Sequence, residues 1–317
     1  MTKHASIIIA DETALFVYMH ISSPDRAGIA PTRENPLSRC ASTAEELRRF
    51  NSDHPFYGGH PISVLVRKAA ARRQSSKLKC RYCDSDLPAG SFFKLREGLY
   101  IASPELVFLR MADLVSEIRL IEIGINLCGR YYISLDTGKI DDRDGMLTSP
   151  AKLAKYLEKA RGIRGARKAE KALRWVLANS GSPAETKMAI QFTLPKWKGG
   201  LGLPFTHLNY DVSAGRLARF TEQGEFCLDC ANPKLHVGTE YDGKESHQDT
   251  GKDIRRRNAL AAMGWRVFPM DKSVLYNSEK TIHAGLQIAK HINMRVQWPK
   301  RWEERYAFLR RELDLPC

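Results

Sequence analysis

Between Gly224 and Met270 the chain sets out carboxylates, a histidine and arginines in close order. Asp229 lies in a short apolar segment. Glu240-Tyr241-Asp242-Gly243 follows, then His247, then Asp253-Ile254-Arg255-Arg256-Arg257, then Gly264-Trp265-Arg266-Val267-Phe268. Carboxylates held within a few ångströms of each other repel strongly unless a cation neutralises them. Oxygen donors with open positions suit Mg2+ (or Mn2+), which keeps waters and takes a substrate phosphate as a further ligand. Such an ion lowers the pKa of a bound water and stabilises the charge that builds up at a phosphodiester under attack. His247 is placed to activate or orient that water, and Asp253 to position His247 or the helix. Arg255 and Arg256 open a helix whose N-terminus already favours phosphate.

The elements that must position these residues are legible from pattern. Thr206–Val212, Glu225–Ala231 and Leu235–Asp242 read as strands, Thr250 to Met263 as a helix and Trp265–Pro269 as a strand. Side chains alternate along a strand, so Glu240 and Asp242 share a face, as do Cys227 and Asp229. If the two strands pair, Asp229 meets Glu240 across the ladder. Upstream, Ser182-Pro183-Ala184-Glu185 has the form of a capping box with proline in the first turn. The resulting order is α-β-β-β-α-β, with a flexible Gly- and Lys-rich stretch expected at Pro195 to Pro204.

This ordered set resembles the PD-(D/E)XK nuclease superfamily over residues 183–270, and within it the branch related to very-short-patch-repair (Vsr) endonucleases. The family pattern is a helical Glu, an Asp on a strand, Glu-x-Asp-Gly with a downstream His, Asp-x-x-Arg on a helix, and Gly-Trp-x-Val. Here it is met by Glu185, Asp229, Glu240 to Gly243, His247, Asp253 to Arg256, and Gly264 to Val267. The resemblance implies a restriction-endonuclease-like mixed-sheet core with flanking helices. It implies metal ligation by Asp229 and Glu240 with help from Asp242, and Glu185 acting through a metal-bound water. It also implies His247 as base or water-orienting group and Arg255 and Arg256 on phosphate. The wider superfamily has a lysine where this chain has Asp242, an exchange usual in the Vsr-like branch; Lys244 lies two residues further on.

The remainder of the chain is basic. A net charge of +14 over 317 residues favours a polyanionic partner. Arg67, Lys68, Arg72, Arg73, Lys77, Lys79 and Arg81 form one basic run without an intervening acid. A second falls in Pro150 to Ala178, read as helical, where Arg164, Arg167, Lys168, Lys171 and Arg174 recur at three- or four-residue steps and share a face. Residues 1–60 are punctuated by prolines, with a short helix expected around Thr43–Phe50. Ile62–Val66 and Gly98–Ala102 read as strands, Ser103-Pro104-Glu105 as a helix start, and Asp136 to Pro150 as a loop. The Ser103-Pro104-Glu105-Leu106 start and its apolar helix are faintly similar to AbiEi-type antitoxins and regulators, which implies a winged-helix-like module. Three parts are therefore expected: 1–135, an α+β module that could bind DNA; 136–178, a loop and basic helical connector; and 179–317, the nuclease-like domain.

Seven cysteines, an odd number, point to free thiols or a metal site rather than a disulfide framework. Cys80/Cys83 and Cys227/Cys230 each have the spacing of half a structural Zn2+ site. The pairs lie far apart, and residues three apart on a strand face opposite ways, so a shared zinc is not expected; Cys80 and Cys83, in a turn with Asp84 and Asp86, form the better half. No stretch reaches the length of a membrane span and no signal-peptide pattern is present, which gives a cytoplasmic expectation. The expected activity is metal-dependent hydrolysis of DNA phosphodiesters, in repair, restriction or phage defence. The same features would serve RNA. The alternative is a non-catalytic DNA-binding regulator, antitoxin-like, with a toxin or defence-system partner.

Overall fold

The computed structural model describes residues 6–40, 61–68, 78–215, 224–242 and 250–316. They form a mixed α+β protein of two compact units, Met1–Arg174 and Trp175–Cys317. The expected helix at Thr43–Phe50, the basic residues Arg72, Arg73 and Lys77, and Gly243, Lys244 and His247 lie outside the described residues.

The first unit is built on a mixed sheet of β1 (Ile7–Ile9), β2 (Ala30–Pro31), β3 (Ile62–Val66), β4 (Leu78–Tyr82), β5 (Phe92–Arg96) and β6 (Leu99–Ala102), in the order β2-β5-β6-β1-β3-β4. β1 runs parallel to β6 and antiparallel to β3, while β3 and β4 are parallel. Every residue of β1, β3 and β6 is buried, as the near-continuous apolar runs of those strands require. This is a broad sheet rather than the small wing of a winged-helix module. Helices α1 (Asp11–His20), α2 (Pro104–Met111) and α3 (Glu117–Leu127) accompany it. Ser103 caps α2 by accepting from the Leu106 N–H at 3.3 Å.

Two segments differ from the sequence expectation. The stretch expected as a loop carries β8 (Ile140–Asp142), which pairs with β7 (Tyr131–Ile133) as a hairpin. The basic stretch expected as one helix is two, α4 (Pro150–Lys159) and α5 (Ala166–Leu173), both belonging to the first unit rather than forming a connector. Gly162 and Gly165 separate them, each at φ +89°, a left-handed backbone that ends a helix and suits glycine.

The second unit holds the α-β-β-β-α-β order expected from pattern. Helix α6 (Pro183–Thr193) precedes β9 (His207–Ser213), β10 (Glu225–Asn232) and β11 (Val237–Asp242); α7 (Thr250–Ala262) leads to β12 (Arg266–Asp271). The sheet order is β12-β11-β10-β9, with β9, β10 and β11 antiparallel in turn and β12 parallel to β11. Phe226, Leu228, Leu260 and Trp265 centre an apolar cluster between α7 and the sheet. Gly264, at φ +80°, makes the turn from α7 into β12. Three further helices follow: α8 (Lys272–Tyr276), α9 (Ser278–His291) and α10 (Trp302–Glu312). Fully buried Arg310 ties them together, donating to the Gln191 side-chain oxygen at 2.8 Å and to the carbonyls of Tyr276 at 3.0 Å and Leu275 at 3.3 Å.

The Gly- and Lys-rich stretch at Pro195 to Pro204, expected as flexible, is bonded back to the end of α6 through the Leu201, Gly202 and Leu203 N–H groups. It forms a short 3-10 turn at Lys196–Lys198, and Trp302 Nε1 donates to the Gly200 carbonyl at 3.0 Å. Among the described residues, no helix is long and apolar enough to cross a membrane.

Candidate active site

Site geometry starts at a fork in the second unit's sheet. β10 and β11 are in register from Asn232↔Val237 to Cys230↔Thr239. Beyond that point β10 continues along β9, and β11 continues along β12 through Glu240, Tyr241 and Asp242. At the opening the Asp229 carboxylate, rather than a strand carbonyl, accepts the Tyr241 N–H. A parted pair of strands leaves backbone groups and side chains facing a shared space, and the acids sit there.

Helix α6 supplies Glu185 through the expected capping box. Ser182 Oγ accepts from the Glu185 N–H at 3.1 Å, and the Glu185 carboxylate accepts in return from Ser182 Oγ at 2.9 Å and from the Gly181 N–H at 2.8 Å. Asn209, which pattern did not single out, completes the arrangement. It sits in β9 at φ +45°, and its Nδ2 donates to Glu185 Oε2 at 2.6 Å and to the Asn179 carbonyl at 2.8 Å. Its Oδ1 accepts from Cys227 Sγ at 3.4 Å. An asparagine in mid-strand tolerates the left-handed backbone better than most residues, and that is the one signal that could have marked it.

Asp229 feels these neighbours. Burial, then the charges of Glu185 and Glu240, push its carboxyl from the usual range up to about 7, against the lowering effects of the Tyr241 N–H and Arg256. Glu240 is held differently: Arg256 of α7 donates to it from both Nε (3.0 Å) and Nη2, and the same Nη2 reaches the Cys227 carbonyl at 2.8 Å. Arg256 thus supplies the positive charge at this carboxylate. The structure brings Glu185, Asp229, Glu240 and Arg256 together. Asp242 stands at the end of β11 in register with Asp271, whose carboxylate caps α8 at the Val274 N–H.

The remaining expected residues are dispersed. Arg255 is exposed on α7, and the side chain of Asp253 lies outside the described residues. In the first unit Arg167, Lys171 and Arg174 are exposed, whereas the Lys168 ammonium turns in to the Val115 carbonyl. Arg164 pairs with Asp113 at 2.8 Å. Lys168 therefore serves the packing of α5 rather than an open basic face. Cys80 lies within β4 and Cys83 just beyond its end, so only half of the pair stands outside a strand; both are buried. Cys230 is buried as a small apolar residue, and burial pushes its thiol well above the usual range.

Among the described residues no group of three or more His, Cys, Asp or Glu side chains is arranged to hold a metal ion. The Glu185, Asp229 and Glu240 carboxylates at the fork are nonetheless hard oxygen donors, the type Mg2+ and Mn2+ take. Burial is the larger cause of the rise at Asp229, and the repulsion from Glu185 and Glu240 that adds to it is the kind a cation relieves. Comparison with protein-family models, with curated proteins and with solved structures returned no match.

Proposed function

We propose that the second unit is a metal-dependent nuclease of the PD-(D/E)XK type, resembling its Vsr-like branch, with DNA as its substrate. The observation that carries this reading is the convergence of Glu185, Asp229 and Glu240 from three elements onto the fork between β10 and β11. The α-β-β-β-α-β order and the mixed sheet support it.

In this reading Mg2+ (or Mn2+) is held by Asp229 and Glu240, with Asp242 adjacent on β11; bound there, it polarises water and phosphate oxygen. Glu185 is aimed by Asn209 and the capping box, and acts through water. Arg256, which holds Glu240 here, would contact phosphate once a cation took over that carboxylate, with Arg255 beside it on α7. His247 is the base or water-orienting group that the resemblance implies. The basic residues Arg164, Arg167, Lys171 and Arg174 add to attraction of a polyanion.

The Arg256–Glu240 pair also favours a second reading, a DNA-binding regulator in which an arginine has permanently replaced the cation. Nicking of supercoiled plasmid in Mg2+, Mn2+ and EDTA, with Asp229→Ala and Glu240→Ala in parallel, separates the two. Metal-dependent nicking that both substitutions abolish establishes the nuclease. Absence of nicking, with all three proteins shifting DNA alike, overturns the nuclease and favours the regulator.

A further inference from the structure

A groove of about 910 Å³ runs between β12 and α9 in the second unit. β12 is the terminal strand of its sheet, so one edge has no strand beside it among the described residues. The groove's rim carries Arg266, Lys280, His283, Lys290 and His291, against Glu279 as the sole acid among the described residues that line it. Its floor is apolar, with Phe268, Met270 and Ala284. On α9 the lining positions 280, 283, 284, 287 and 291 recur at three- and four-residue steps, so one helix face is committed to the groove. Arg266 lies over the Phe268 ring at 5.3 Å, and His291 meets the same ring edge-on at 5.8 Å.

An open strand edge beside a groove invites an added peptide strand, but Pro269 opposes that use. It sits in the middle of β12, removes an N–H from the edge, and is the residue type that blunts edge pairing. What the groove does offer is a row of cations over an apolar floor, which matches a phosphate chain bearing sugars and bases. Pro269 is in register with Glu240 on the neighbouring strand, so the groove flanks the fork at the distance of one strand.

We propose that this groove holds one strand of nucleic acid, with phosphates on Arg266, Lys280 and Lys290 and the apolar floor beneath sugar and base. The proposal deepens the nuclease reading, since it assigns a track for the strand leading away from the acids.

The test is fluorescence anisotropy of a labelled single-stranded deoxythymidine oligomer titrated with the full-length protein in EDTA, which removes cleavage from the readout. The groove variant is Arg266→Glu/Lys280→Glu/Lys290→Glu. A charge-matched control carries Lys234→Glu/Arg305→Glu/Arg311→Glu, three exposed cations outside the groove. Thermal melting verifies that both remain folded. The expected result is a loss of tenfold or more for the groove variant relative to the control, about the scale three lost phosphate contacts produce. Its salt dependence should also flatten, by about 0.7 in log–log slope for each phosphate contact removed. Equal affinities of the groove variant and the control overturn the proposal and turn attention to a protein ligand. Nicking in Mg2+ is scored separately: wild type that binds through the groove but never cuts sinks the nuclease reading alone, and cutting with groove-independent binding sinks the groove alone.

Discussion

At Asp229 the environment favours the protonated form of the carboxyl. An aspartate titrates near 3.8 in an unfolded chain and at about 7 in this fold. A raised folded value means its contribution to stability is complete below about pH 4 and is lost as pH climbs through 7. Metal-free Asp229→Asn should therefore melt progressively higher than wild type as pH rises across that window, with the gap constant above it. A gap that does not change with pH would refute the crowding of acids at the fork. Because a cation competes with that proton, stabilisation of wild type by Mn2+ should strengthen as pH rises through 7 and vanish in Asp229→Asn. Arg256 is the second lever. Arg256→Gln removes the charge now on Glu240, so the metal-free protein should melt lower while Mn2+ binds about tenfold more tightly, the scale of one close charge pair. Calorimetric titration with Mn2+ reads this directly, and unchanged or weaker affinity would place the metal elsewhere.

At the scale of elements, glycines and caps set geometry that composition alone does not reveal. Gly165 breaks the basic stretch at φ +89°, and a Cβ there would lie 2.9 Å from the Leu109 carbonyl of α2. Gly165→Ala should cost about 1–3 kcal/mol by strain and forced separation of the helices, read by chemical denaturation. Glu12, at the start of α1, is held by Lys79 at 3.0 Å and Arg81 at 2.8 Å, residues of β4. Burial raises its carboxyl, but hydrogen bonds from its own backbone N–H and Lys79 and the Arg81 charge outweigh it and leave it at about 2. With a lowered folded value, the contribution is present above about pH 4.5 and lost as pH falls toward 2. The melting difference between wild type and Glu12→Gln should shrink across that acid range, and a difference that persists at its foot would rule out the pairing as its cause.

For the whole molecule, the acids of the fork fall within one of the two compact units. All three acids of the fork and Arg256 belong to residues 175–317, whose core is knitted by buried Arg310. Replacing Arg310 with Met takes their side-chain donor from the Leu275, Tyr276 and Pro316 carbonyls and leaves the Gln191 oxygen with Tyr306 alone, at about 3–5 kcal/mol by the usual cost of breaking a buried charged network. Urea unfolding followed at the second unit's tryptophans measures it, and a loss under about 1 kcal/mol would show the network to be dispensable.

What pattern alone determined was local. The capping box at Ser182–Glu185, three strands, one helix and a closing strand follow from alternation, periodicity and helix-start chemistry, which act over a few residues. That also set the acids in order along the chain. Tertiary structure decided what no local rule reaches. It parted β10 from β11 so that Asp229 bonds to Tyr241, and it turned Arg256 onto Glu240 and Lys168 inward to Val115. It also recruited Asn209 through a strained backbone to hold Glu185. These contacts join residues from separate elements, and their geometry depends on packing and charge balance summed over the fold rather than on neighbours in sequence.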